Sequence, residues 1–225
     1  MKNYSYDYEW DIEYCYPNSN ILKNNLNITN AEDLAIAERE ITSIKLAYAK
    51  QNIIDGDFDF PHLKKIHKFL FEDIYEWAGE LRHVNISKGN QFCLSQNLES
   101  YADTVFQTLK NENYLKDCNN IAERLAYYLS EINVLHPFRE GNGRSMRIWL
   151  DLIFKAELQK VVDWSKIDKE DYLLAMERSP IRDIEIKYIL KNALTDEINS
   201  REVYMKGIDH SYYYEGYATF KTEEL

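Results

Sequence analysis

The sequence predicts an all-α fold carrying one small β-hairpin, and three observations lead there. Glycine and proline are scarce, seven and four in 225 residues, whereas an all-β chain needs a turn signal every few residues. Most of the chain divides into segments whose apolar residues recur at three- and four-residue spacing, as on amphipathic helices. Only the stretch between Gly79 and Ser95 sets short apolar pieces around a turn signal, Lys88-Gly89-Asn90.

The elements follow in order. Tyr4, Tyr6, Tyr8 and Trp10 alternate with Ser5, Asp7 and Glu9; period two would suit a strand, but at a terminus an extended arm packed on the domain is favoured. Thr29-x-x-Glu32 reads as a capping box opening a helix to about Gln51, with Leu34, Ile41, Ile44 and Tyr48 near its apolar face. Asp55-Gly56-Asp57 breaks the chain. Pro61 suits a first helical turn, and Leu63, Ile66, His67, Leu70 and Ile74 continue at helical spacing to about Trp77. Leu81, Val84, Ile86, Phe92 and Leu94 flank the turn and predict a hairpin over about 84–92. Helices are expected at about 96–110 and 120–133, the second with Ile121, Leu125, Leu129 and Ile132 on one face. Another starts at Gly141-Asn142-Gly143 and reaches about Leu158, followed by 165–178, 182–200 and a short amphipathic piece at about 209–217. With no repeat or low-complexity linker, one domain is expected over 1–225, its core at about 14–200.

A net charge of −11 argues against a general nucleic-acid or anionic-membrane binder, which needs clustered Lys and Arg. It leaves room for a small phosphate ligand in a local pocket. Cys15, Cys93 and Cys118 are scattered without a CxxC pair, so neither a disulfide framework nor a zinc site is suggested. The start MKNYSYDYEW lacks the apolar stretch of a signal peptide, and no run of about 18 apolar residues could span a membrane. Cytoplasm is the expected compartment, and the abundant aromatics leave room for a homo-oligomer.

The chemistry concentrates in His136-Pro137-Phe138-Arg139-Glu140-Gly141-Asn142-Gly143-Arg144-Ser145-Met146-Arg147. Gly141 and Gly143 allow backbone conformations and close approaches that a side chain would block. If a helix begins just after them, its unpaired N–H groups and positive end suit an anion. Arg144 and Arg147, three apart, can both project toward that anion, and guanidinium forks match phosphate oxygens. Glu140 can hold a hard cation such as Mg²⁺ (or Mn²⁺), which takes one or two carboxylates plus phosphate oxygens. His136, with an ordinary histidine pKa of about 6.5, can accept a proton. Phe138 reads as a core anchor. Each residue alone has a structural explanation; together they read as a polyphosphate site with a metal ligand and a base.

This window resembles, without a departure, the signature of the Fic family: His-x-Phe-x-Asp/Glu-Gly-Asn-Gly-Arg-x-x-Arg. Asp73-Ile74-Tyr75-Glu76-Trp77-Ala78-Gly79 followed by Arg82 is also similar to the family's helix end before its flap hairpin. The resemblance spans about 14–190 and implies a Fic-type helical domain with a β-hairpin flap that transfers AMP from ATP to a hydroxyl of a target protein. Carried over, His136 would deprotonate the target's Tyr, Ser or Thr hydroxyl, and Glu140 would hold Mg²⁺ across the α- and β-phosphates. Gly141-Asn142-Gly143 would form the anion hole, with Asn142 on the α-phosphate, while Arg144 and Arg147 would bind the β- and γ-phosphates. The flap would align the target backbone by strand addition. Family members that phosphorylate carry Lys where Gly143 stands, so Gly143 favours AMP transfer.

Ser211-Tyr212-Tyr213-Tyr214-Glu215-Gly216 resembles the family's inhibitory motif Ser/Thr-x-x-x-Glu-Gly/Asn in its C-terminal position. The implication is a built-in brake in which Glu215 takes Arg147 away from the γ-phosphate. Ser5-x-x-x-Glu9 is a weaker match. Three other readings stay open: another nucleotide donor, removal of AMP, and a non-catalytic, nucleotide-regulated interaction module.

Overall fold

The structure, a computed structural model, describes residues 7–8, 13–88, 90–116 and 118–214. Helix α1 (Ala31–Gln51) begins one residue later than the capping box implies: the Asn30 side chain accepts from the Glu32 and Asp33 amides at 2.9 and 3.0 Å. Asparagine outranks threonine as a cap, and the two acids fall in the first turn, where the helix dipole favours them. Its inner face also differs from the expected one. Ile44 and Tyr48 are 66% and 55% exposed, while Leu34, Leu46 and Ala49 are buried together with Glu38, Thr42 and Ser43. An apolar count along the helix misses a buried face that is half polar.

Helix α2 (Phe60–Phe71) is capped by Asp59, whose carboxylate accepts from the His62 amide, and carries Pro61 in its first turn. It stops at Phe71, short of the expected Trp77, although Ile74 and Tyr75 are still buried in the turns that follow. The hairpin pairs β2 (Ile86–Lys88) with β3 (Asn90–Gln91), Ser87 opposite Gln91. On the other side of β2 lies β1 (Asp7–Tyr8), Tyr8 opposite Ile86, so part of the N-terminal arm is a strand after all. The sheet order is β1-β2-β3. The flap is thus bordered by a distant segment that period-two alternation had marked.

Helices α3 (Leu98–Asn111), α4 (Ile121–Leu135) and α5 (Asn142–Leu158) follow as expected, within a few residues at each end. Helix α5 is central: Trp149, Leu150, Ile153 and Phe154 on it are completely buried. Then come β4 (Val161–Val162), α6 (Lys169–Arg178), α7 (Ile184–Ala193) and β5 (Leu194–Thr195). The helix expected to run to 200 ends at Ala193 because the chain turns extended to pair β5 with β4. Helix α8 (Arg201–Tyr214) begins well before the expected 209, burying Val203, Met205, Ile208, Ser211 and Tyr212. The result is an all-α architecture with small antiparallel strand pairs. No helix among the described residues is long and apolar enough to cross a membrane.

One fold residue acts directly on the motif. His67 of α2 is fully buried and stacks on Phe138 with 3.8 Å between ring centroids. Its Nδ1 accepts from the Gly79 amide at 2.8 Å, so the proton sits on Nε2, which donates to the Glu140 carbonyl at 2.9 Å. Burial, reinforced by the nearby Arg144 charge, pushes its pKa down to about 3. An unfolded histidine titrates near 6.5, so between those values only the unfolded chain binds the proton. The contribution is intact above about pH 6.5 and is lost as pH falls toward 3, at a slope of about 1.4 kcal/mol per pH unit. Urea unfolding of the metal-free chain between pH 7 and 4 should show this decline, and His67→Gln, though less stable at pH 7, should decline less steeply. Parallel slopes for the two proteins would remove His67 as the cause.

Candidate active site

The window lies where α4 ends and α5 begins, on a short loop that crosses the interior. Such a loop has no helix or sheet ladder to satisfy its backbone, so each buried polar group needs another partner. His136 caps α4 in a left-handed conformation (φ 43°, ψ 60°) and still donates its amide to Ile132. Its carbonyl accepts from Arg82 Nε at 2.7 Å, and the Pro137 carbonyl accepts from the Arg82 amide at 2.9 Å. Asn142 takes Phe138 from both sides: its Oδ1 accepts from the Phe138 amide at 2.9 Å and its Nδ2 donates to the Phe138 carbonyl at 2.8 Å. His67 serves the Glu140 carbonyl, as described. The Gly141 amide donates to the Glu140 carboxylate at 2.8 Å, and the Gly141 carbonyl accepts from Ser145.

Gly141 adopts φ +75°, and a Cβ there would lie 2.2 Å from the Phe71 ring. Only glycine fits both the conformation and the contact. Gly143 is constrained differently: a Cβ on it would stand 3.0 Å from Arg147 Nη1. The amides of the first turn of α5 have no acceptor within the helix and face the direction favoured by anions.

Two buried arginines rise from that turn. Arg144, 1% exposed, donates to Glu38 Oε1 of α1 at 2.7 Å and lies 3.5 Å from Glu140 Oε1. Thr42 accepts from its Nη1 at 3.3 Å, and Tyr75 donates to the other oxygen of Glu38. Arg147, 5% exposed, donates from Nε to Ser211 Oγ at 2.8 Å and from Nη2 to the Ser211 carbonyl at 3.4 Å. Its guanidinium lies 5.6 and 5.9 Å from the ring centres of Tyr214 and Trp164. Aromatic surroundings suit a weakly hydrated guanidinium and fix its plane.

The structure brings most of the predicted residues together. His136, Glu140, Asn142, Gly143, Arg144 and Arg147 line one cavity of about 620 Å³. Gly141 and Ser211 stand behind it, the first shaping the turn and the second holding Arg147. Gln91 and Phe92 bring the flap to the same cavity, and the Phe92 ring stacks on His136 at 3.7 Å with 8° between planes. Glu215 lies outside the described residues. A hard cation with a nucleotide fits the donor set: Glu140 supplies a carboxylate on the cavity wall, and among the described residues no cluster of three His, Cys, Asp or Glu forms a protein cage. A carboxylate so placed suits an ion whose other ligands are phosphate oxygens and water.

Sequence reading missed Glu38, Thr42 and His67 as parts of this site. The one available signal was polar residues spaced by four, Glu38 and Thr42, in line with Leu34 on α1.

Comparison with known proteins identifies the family. Residues 57–154 match the Fic/DOC family. The chain is 35% identical over 201 residues to protein adenylyltransferase VbhT of Bartonella schoenbuchensis, covering 87% of this chain but only 42% of VbhT. It is 34% identical over 194 residues to the probable protein adenylyltransferase Fic of Escherichia coli, covering 84% of this chain and 94% of that protein. In fold it resembles the N-terminal Fic domain of a Bartonella quintana effector crystallised with bound ADP, with a TM-score of 0.74, 24% identity, and coverage of 82% and 95% of the two chains. On its sequence, this chain belongs to the Fic/DOC family.

Proposed function

We propose that this chain is a protein adenylyltransferase that moves AMP from ATP to a Tyr, Ser or Thr hydroxyl of a target protein and releases pyrophosphate. The observation that carries this reading is the convergence of His136, Glu140 and two buried arginines on one cavity at the start of α5. The names of the relatives support it. Residues at about 14–200 serve as one Fic core in this reading.

The reaction needs positioning and charge neutralisation more than covalent chemistry. His136 accepts the proton of the target hydroxyl; the oxygen bonds to the α-phosphorus as the bond to the pyrophosphate oxygen breaks. Asn142 holds the turn with its carbonyl oxygen and one N–H, and its other N–H is the donor we assign to the α-phosphate. The main-chain amides at Asn142 and Gly143 complete the anion hole. Arg144 and Arg147 bind the β- and γ-phosphates, each guanidinium held from behind, by Glu38 and by Ser211. Glu140 would hold Mg²⁺ or Mn²⁺, which when bound would supply positive charge to the phosphates. Since β1 borders β2, the terminal strand beside the cavity is β3, and the target segment adds there.

Helix α8 supports the brake. Ser211, the first residue of the inhibitory motif, already contacts Arg147, and Glu215 follows one helical turn later in sequence. We assign Glu215 as the carboxylate that draws Arg147 from the γ-phosphate.

Four substitutions test these roles, read by transfer from α-labelled ATP and by melting temperature. His136→Ala should abolish transfer, a loss on the order of 10²–10⁴-fold, while ATP binding measured by calorimetry persists; retained transfer would exclude His136 as the base. Gly143→Ala should displace the Arg147 guanidinium and lower transfer about 10-fold at unchanged melting temperature, whereas Gly141→Ala should lower the melting temperature itself. Equal melting losses in both would contradict the distinction. Glu215→Gly should raise transfer strongly, and a variant as silent as the parent chain would sink the brake.

A further inference from the structure

The Arg82 side chain is 1% exposed and makes four hydrogen bonds, all to main-chain carbonyls. Nε donates to His136 O at 2.7 Å and Nη1 to Val84 O at 2.6 Å. Nη2 donates to Cys93 O and, at 3.4 Å, to Leu135 O. Val84 and Cys93 are the two feet of the hairpin whose strands occupy 86–88 and 90–91. Leu135 and His136 end α4, where carbonyls lack intrahelical partners. The backbone adds two further ties: Arg82 N to Pro137 O and Cys93 N to Val134 O, both 2.9 Å.

We propose that Arg82 is a positioning residue that fastens the flap and the His136 turn into one unit, and so sets the distance between a target held on the flap and the proton acceptor. The proposal rests on the reading of His136 as that acceptor. A guanidinium is planar with its N–H groups in a fixed fork, so its acceptors are held in one plane and in fixed relative positions. A lysine ammonium in the same place is a point charge without that geometry. The arrangement also holds a costly backbone conformation: the left-handed region is disfavoured for a residue with a β-carbon, and His136 adopts it with its carbonyl aimed at Nε. From the flap side, the Phe92 ring covers the imidazole face to face, and the Phe92 amide is tied to Ile86 O at 3.2 Å. The imidazole is therefore fixed through its backbone by Arg82 and through its ring by the flap that Arg82 holds. Burial lowers the Arg82 pKa to about 10, which leaves it cationic at neutral pH.

The test compares the parent chain, Arg82→Lys and Arg82→Ala, each also in the Glu215→Gly background. Arg82→Lys should lower kcat about 100-fold, as expected for a reacting group misplaced by about 1 Å, while the KM for ATP changes less than 3-fold because the phosphate residues are untouched. Millimolar methylguanidinium should restore part of the activity of Arg82→Ala, and methylammonium should not. A folded Arg82→Lys with parental kcat, or one that loses ATP affinity instead, overturns the proposal. Amide hydrogen exchange on the parent chain gives a second, activity-independent measurement. The amides of Arg82, Phe92, Cys93 and His136 should open together in mild denaturant; fast exchange at the flap feet with a protected His136 turn overturns the proposal even if no variant folds. Absence of transfer in the parent and Glu215→Gly chains, with joint opening intact, would refute the adenylyltransferase reading and leave the Arg82 unit standing.

Discussion

The loop from His136 to Gly141 crosses the interior without a ladder, and its demand for hydrogen-bond partners organises everything near it. A buried amide or carbonyl left unpaired costs about 1–3 kcal/mol. His136 O, Pro137 O, Phe138 N, Phe138 O, Glu140 O and Gly141 N are all paired. Left unpaired they would together cost on the order of 10 kcal/mol, comparable to the whole stability of an ordinary domain. The partners come from different places: the segment before the flap gives Arg82, α2 gives His67, and α5 gives Asn142. Each element docks on the loop as part of docking on the core, so the positions of the side chains around the cavity are set by the same bonds that make the fold possible.

The second consequence is electrostatic. The chain carries a net charge of −11, yet arginines at 139, 144 and 147 line one cavity. Burying guanidinium groups is tolerable only with good partners. Arg144 has a carboxylate from α1, and Arg147 has the Ser211 hydroxyl and carbonyl together with aromatic faces. Helix α8 bears on both. Beyond Ser211, its Tyr212 hydroxyl lies 2.5 Å from Thr42 Oγ1, and Thr42 also accepts from Arg144. Whatever moves the end of α8 therefore reaches both buried arginines by short paths, one direct and one through α1.

The parts of this arrangement legible in the sequence are those whose signal is local. Consecutive residues at a helix start can be read as one site, and Gly141, Asn142, Gly143, Arg144 and Arg147 are found around one such start. Hairpin chemistry at Lys88-Gly89-Asn90 is likewise local, as is helical spacing in α2, α4 and α5. What escaped is set by tertiary contact. Apolar spacing predicts Ile44 and Tyr48 on the inner face of α1, yet they face outward because that face presents Glu38 and Thr42 to Arg144. The helix expected through 200 breaks at Ala193 for a strand pair with β4, thirty-odd residues upstream, which no local pattern announces. His67 looked like one more residue on an amphipathic face; its role appears only when Gly79 and Glu140 are seen on its two nitrogens.

This division has a consequence for how the site forms. The partners of the loop are distant in sequence: Arg82 and His136 are 54 residues apart, and His67 and Glu140 are 73 apart. Closing such loops costs entropy before the contacts return it. A partly folded chain with α4 and α5 formed but α2 undocked would bury polar groups that have no partner, or else keep the loop in water. In either state the left-handed turn at His136 lacks the bond that holds its carbonyl. The chemistry-bearing window is contiguous and recognisable, but its geometry belongs to the assembled core, and the twelve residues alone would not hold it.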